Sequence, residues 1–197
     1  MALSTVALSG AFSDPVFQSQ AVFRALMDAM ARPGTIVTLP ARAEPPTPLG
    51  PAAGAVALTL CDGDTPVYLA PPLLASALPG WLAFHTGAPV TRVKAEAHFA
   101  FTGPEALCLS AFSAGTQDYP DRSTTLVVEL LALAGGRRLT LRGPGIEATT
   151  EIAPAGLPEI FPDLWAENRA LFPRGVDLIL AAGSEILCLP RTTRLTP

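Results

Sequence analysis

The chain has 197 residues, 49% of them hydrophobic, with 13 basic and 17 acidic side chains and a formal net charge of −4. That length suits one domain with a sizeable core, and the acidic balance argues against nucleic acid as the main partner. Charged residues are only 15%, against about 25% in an average soluble protein, so either part of the apolar surface is covered by a partner or an alanine-rich composition raises the mean hydropathy harmlessly.

The opening stretch MALSTVALSGAFSDP has no basic residue before its weakly apolar part and makes a poor signal peptide. Asp14-Pro15 reads as a helix start. Val22, Leu26 and Met30, with Phe23 and Met27 beside them, then repeat at helical spacing as one wide apolar stripe. Arg32-Pro33-Gly34 stops this helix, Thr35 to Leu39 reads as a strand, and the proline-rich segment Ala43 to Pro51 as an exposed loop. A small-residue helix follows from Ala52 to about Cys61, then a turn at Asp62-Gly63-Asp64 and a strand from Val67 to Ala70.

Pro72 to about Phe84 reads as one amphipathic helix, and Ala95 to Thr102 and Ala106 to Phe112 as strands either side of Gly103-Pro104. Gly115 to Ser123 is a polar loop. In Thr125 to Leu133 strand and helix compete; the β-branched start favours strand, and Gly135-Gly136 would fold it into a hairpin with Arg137 to Arg142. A short helix is expected over Phe161 to Leu171, and the tail adds strands at Val176 to Ala181 and Glu185 to Leu189, joined by Gly183-Ser184. Interleaved helices and strands give an α/β class: a single domain, residues 1–197, with a mixed sheet flanked by helices.

No apolar run approaches the roughly 18 residues of a membrane-spanning helix. Cys61, Cys108 and Cys188 each lie in an apolar run, which favours buried thiols in a reducing cytoplasm over disulfides. The catalytic inventory is thin. Ser113 imitates a nucleophile elbow, yet a loop follows it where a helix is required, and both histidines, His85 and His98, come earlier in the chain. Neither histidine has a partner at metal-ligand spacing, so no metal site is expected. Asp62 and Asp64 could hold a hard cation, but they fit an ordinary turn better. Lys94 is the only lysine, hence the only side-chain amine able to form a Schiff base. Arg138 and Arg142 share a strand face that could grip phosphate or simply guard a sheet edge.

Four residues stand out as candidate anion or interface contacts: Arg174 and Arg191 in the tail, and Asp118 and Asp121 in the polar loop. Folding the hairpin at Gly183-Ser184 brings both arginines to one end, where they repel unless an anion or carboxylates intervene. Asp177, Glu159 and Asp163 are near enough in sequence to pair internally, so internal pairing and ligand or partner contact both stay open.

Phe172-Pro173-Arg174-Gly175-Val176-Asp177-Leu178 and Leu189-Pro190-Arg191-Thr192-Thr193 resemble the C-terminal signature of the PhnH family, a component of the bacterial carbon–phosphorus lyase system. Phe23 to Met30 running into Arg32-Pro33-Gly34, and Gly115-Thr116 with Tyr119-Pro120-Asp121, resemble it too, in the same order along essentially the whole chain. The resemblance implies a fold similar to pyridoxal-phosphate-dependent transferases without the cofactor site, and therefore no cofactor. It implies a cytoplasmic homodimer, required in phosphonate catabolism within a core complex that also holds subunits G, I and J. With G, I and L it would take part in moving ribose triphosphate from ATP to an alkylphosphonate, in a structural rather than catalytic role. The alternative is an ATP- or phosphonate-binding enzyme component with a cleft at its dimer interface.

Overall fold

Asp14 starts the first helix through its side chain, which accepts from the Phe17 amide at 3.4 Å, while Gln18 accepts from the Asp14 amide at 2.8 Å. In the computed structural model, which describes residues 8–196, this helix is α1, Pro15–Ala31. Residues 1–7, the first part of the stretch read as a poor signal peptide, lie outside the described residues, as does residue 197.

The chain continues through β1 (Ile36–Thr38), α2 (Pro51–Leu60), β2 (Val67–Leu69), α3 (Pro71–Leu74), α4 (Leu78–His85), β3 (Val90–Thr91) and β4 (Phe99–Thr102). It then forms β5 (Thr125–Glu129), β6 (Leu139–Arg142), β7 (Thr150–Ile152), α5 (Phe161–Ala170), β8 (Asp177–Ala182), β9 (Glu185–Leu189) and β10 (Arg194–Thr196). A seven-stranded sheet has the order β1-β9-β8-β5-β4-β2-β3, and β10-β6-β7 form a second, three-stranded sheet. β8, β5, β4, β2 and β3 run parallel, whereas β9 and β1 add antiparallel pairs at one edge. The α/β class with a mixed sheet and flanking helices is as the sequence indicates.

Strand side chains alternate between two cores, as a period of two requires. Val127, Ile179, Ala181, Ile186 and Cys188 face α1, α2 and α4, while Leu126, Val128, Leu178, Leu180 and Leu187 face α5 and the small sheet. α2 is buried along Ala52 to Ala57, and only small side chains let it lie so deep; a Cβ on Gly54 would stand 2.6 Å from the Pro45 ring.

Several boundaries depart from the sequence reading. The helix expected over Pro72 to Phe84 is two pieces, because the Ser76 hydroxyl donates to the Leu73 carbonyl and accepts from the Leu78 amide, ending one helix and starting the next. Ala95 to Thr102 is strand only from Phe99, its start being a 3₁₀ turn over Lys94–Glu96. Ala106 to Phe112 is not a strand. Both edges of β4 are already occupied, by β2 and β5, so this segment crosses from β4 towards β5 in 3₁₀ turns with Leu109 and Phe112 tucked inward.

The hairpin at Gly135-Gly136 does not form either. β5 pairs with β4 and β8, and β6 finds its partners in β7 and β10. Strand is the right reading of Thr125 to Glu129, but Leu130 and Leu133 leave the sheet to fill the second core. In α1 the wide stripe splits: Val22 and Leu26 are buried and Met30 half-buried, whereas Phe23 and Met27 are 47% and 55% exposed.

Candidate functional site

The polar loop and the closing hairpin meet at one guanidinium. Gly183, at φ +57°, turns β8 into β9 so that Leu178 stands opposite Leu189, which places Asp177 beside the residues that follow β9. The Arg191 amide donates to Asp177 Oδ1 at 2.7 Å, its Nε donates to the same oxygen at 3.1 Å, and Nη2 donates to Asp177 Oδ2. Nη1 donates to the Pro120 carbonyl, and Nη2 reaches the Ser123 hydroxyl at 2.6 Å. Both charged side chains are largely covered, 15% exposed for Arg191 and 18% for Asp177. A charge taken this far out of water needs such a fork–fork pair with its remaining donors satisfied.

Arg191 therefore ties the end of β9 to the start of β8 and to the loop between Gly115 and Ser123. The same loop is closed from inside: the Ser113 hydroxyl donates to the Arg122 carbonyl at 3.2 Å and accepts from the Gly115 amide at 3.3 Å. Ser113 is thus a loop-closing residue with no helix behind it.

The loop forms one wall of a cleft of about 540 Å³ at the amino-terminal ends of β4 and β5, lined by His98, Phe99, Asp121, Arg122, Ser123 and Thr125. Its lining carries an imidazole, a carboxylate, a guanidinium and hydroxyls, and the Arg122 guanidinium lies 4.1 Å from the centre of the Tyr119 ring. Ligands of open α/β sheets usually sit beyond the carboxyl ends of the strands; this cleft is at the opposite end.

The four candidates therefore separate. Arg191 is in the loop–hairpin joint and Asp121 on the cleft, while Asp118 is exposed at the loop tip. Arg174 is exposed, and its backbone amide donates to the Leu171 carbonyl at 3.0 Å. Of the carboxylates considered as internal partners, Asp177 takes Arg191; the Glu159 carbonyl accepts a long 3.5 Å bond from Arg137. Much of the tail pattern is packing. The buried Asn168 amide donates to the Val176 carbonyl and accepts from the Val176 amide, docking α5 on the entry to β8. Gly175 sits against it at φ +129°, where a Cβ would stand 3.0 Å from Asn168 Oδ1.

At the carboxyl end of β5 stands Glu129, which sequence reading passed over. Its Oε2 accepts from the Gly50 amide at 3.2 Å, just ahead of α2, and a Cβ on Gly50 would lie 2.2 Å from Oε1. Burial pushes the carboxyl up to about 7, only partly offset by the Gly50 hydrogen bond. The signal available was a lone acid closing the apolar run Thr-Leu-Val-Val-Glu.

The remaining chemistry-bearing residues lie apart. The Lys94 ammonium is 5.5 Å and 5.4 Å from the ring centres of Tyr68 and Phe112. His85 packs edge-on against Trp81 and Phe84. Asp62 and Asp64 form a turn in which the Asp64 amide donates to Asp62 Oδ1 at 3.0 Å. Cys61 and Cys188 are buried, their thiols pushed up to about 12 chiefly by desolvation, while Cys108 is exposed, contrary to the expectation of three buried thiols. Among the described residues no group of three or more His, Cys, Asp or Glu is placed to hold a metal ion, and no helix is long and apolar enough to cross a membrane.

Comparison with known proteins reaches the whole of this architecture. The model of a family described as bacterial phosphonate metabolism protein (PhnH) matches residues 10–196. The alpha-D-ribose 1-methylphosphonate 5-triphosphate synthase subunit PhnH of Rhizobium meliloti (strain 1021) is 61% identical over 189 residues, 95% of this chain and 94% of its own. The putative C-P lyase subunit protein HtxG of Stutzerimonas stutzeri is 33% identical over 181 residues, 90% of this chain and 86% of its own.

Proposed function

The chain belongs to the PhnH family of bacterial phosphonate metabolism proteins, and on that premise we propose that it is a subunit of a carbon–phosphorus lyase complex in phosphonate catabolism. The observation that carries this reading is the 61% identity to a synthase subunit across 95% of the chain. In the finer reading it is a cytoplasmic homodimer that joins subunits G, I and J in a core. With G, I and L it takes part in transfer of ribose triphosphate from ATP to an alkylphosphonate, serving as a structural rather than catalytic member.

Two features support the structural role. Arg191, the most heavily hydrogen-bonded cation of the closing strands, is engaged inside the chain and shapes the loop rather than facing a ligand. On α1, Val16, Phe23 and Met27 lie along one side at helical spacing and are 75%, 47% and 55% exposed, an apolar face of the kind that assembly covers.

Light scattering on size-exclusion fractions tests the proposal, with the chain expressed alone and then with subunits G, I and J. The expected result is two copies alone and a larger stable complex together. Phe23→Asp with Met27→Asp, on an exposed side of α1 outside both cores, should leave the circular dichroism spectrum intact and keep the chain out of the complex. A wild-type chain that ignores all three partners overturns the assembly role. If that chain also binds ATP saturably and inorganic tripolyphosphate does not displace it, the function moves to a nucleotide-binding cleft.

A further inference from the structure

A second group of arginines differs from Arg191 in its chemistry. β10 pairs with β6 so that Arg194 stands directly opposite Arg142. Like charges directly opposed on neighbouring strands destabilise a sheet, and both side chains are exposed with no ion pair or hydrogen bond among the described residues. Arg169, from the last turn of α5, comes to the same place. Its Nε is shielded from solvent and has no acceptor among the described residues, and its guanidinium lies 4.5 Å from the centre of the Phe172 ring.

These three arginines and Phe172 line one cleft of about 340 Å³ together with Gly143, Pro144 and Thr192, and among the described residues no carboxylate lines it. Gly143, at φ +146°, leaves its part of the lining without a side chain, where a Cβ would stand 3.2 Å from the Thr192 carbonyl. Three permanently charged side chains, from two strands and a helix, thus line one cleft with no counter-charge among the described residues.

We propose that Arg142, Arg169 and Arg194 form a binding site for a small molecule carrying more than one phosphate or phosphonate group. Guanidinium forks match the oxygens of such groups bidentately. The cleft holds about ten times the roughly 30 Å³ occupied by one water molecule, room for a chain of phosphates rather than a single one. The Phe172 ring, 4.5 Å from the Arg169 guanidinium, restrains that side chain, so less freedom is lost on binding. The site is independent of the loop–hairpin joint and of the assembly role: it requires only the folded chain.

The test is isothermal titration of the whole chain with inorganic tripolyphosphate, and with orthophosphate for comparison, at low and at physiological salt. Saturable binding of about one tripolyphosphate per chain is expected, tighter than orthophosphate and weakened by salt. The double variant Arg142→Gln, Arg194→Gln changes only exposed side chains and should lower affinity at least about tenfold. Arg169→Lys keeps the charge but loses the fork, and should weaken binding on its own. Arg138→Gln, at an exposed arginine paired with Glu151, should leave it unchanged. Absence of saturable binding, binding that survives the double variant, or an equal loss in Arg138→Gln each overturns the site. So does tripolyphosphate bound no more tightly than orthophosphate.

Discussion

Two arginine-rich places in this molecule obey opposite rules. At the end of β9, Arg191 meets a carboxylate, a carbonyl and a hydroxyl, and is 15% exposed. In the small sheet, Arg142 and Arg194 stand opposite each other across a ladder without a counter-charge among the described residues, and Arg169 lines the same cleft. The first arrangement is complete within the chain and acts as a fastener. The second finds no such partner among the described residues and is the proposed anion site. The role of an arginine here is read from its partners, since the same side chain serves both purposes. Glu129 falls between the two, a largely buried carboxyl with one backbone donor and no cation beside it.

The largest effect should come from breaking the fastener. Arg191→Ala leaves Asp177 largely buried without its charge partner and frees the Pro120–Ser123 wall, and should cost about 3 kcal/mol of stability. That corresponds to roughly 6–12 °C in melting temperature for a domain of this size, read by chemical and thermal denaturation. A loss as small as that of Arg138→Ala, whose pair with Glu151 is long at 3.6 Å and well exposed, would erase the contrast.

The middle effect belongs to Glu129 and depends on pH. Its folded-state pKa, about 7, lies above its ordinary value of 4.5, so the folded chain holds the proton more tightly than the unfolded one. Its contribution is therefore best below about pH 4.5 and falls as pH rises to about 7, then stays level. Glu129→Gln, which can still accept from Gly50, should remove that slope and gain about 1 kcal/mol above pH 7 once partial solvent exposure is allowed for. Melting curves from pH 5 to 8 would show it. Parallel curves for variant and wild type would mean that the carboxyl is not held neutral.

The smallest effect sharpens the comparison from the other side. Without any anion, the Arg142→Gln, Arg194→Gln pair should leave stability unchanged or raise it by about 0.5 kcal/mol, because it removes a like-charge cross-strand contact. A clear loss in the same denaturation assay would show that these arginines are structural after all.

Much of the fold was legible in the sequence because it rests on local signals. Asp14-Pro15 starts α1, the β8–β9 turn lies at Gly183-Ser184, and the strands of the closing hairpin lie where their apolar runs do. The resemblance drawn from the tail, the first helix and the polar loop is borne out by a family match over residues 10–196. The failures occurred where pairing partners lie far apart. The Gly135-Gly136 turn looked like a hairpin, but both edges of β5 were already taken by β4 and β8.

What the sequence determined by itself was the α/β class, the starts of α1, α2 and α5, the strands of the closing hairpin and the family. Class and elements depend on spacing within about one element, where a period of two or 3.6 leaves its mark, whereas the family resemblance rests on three motifs taken in order along the chain. The tertiary structure alone decided which arginine would be neutralised. Asp177 reaches Arg191 through the β8–β9 register, and Arg142 meets Arg194 through the β6–β10 register. A charge is compensated by whatever groups the fold brings within hydrogen-bonding distance, and those groups come from 14 to 71 positions away for Arg191, beyond the reach of any local pattern.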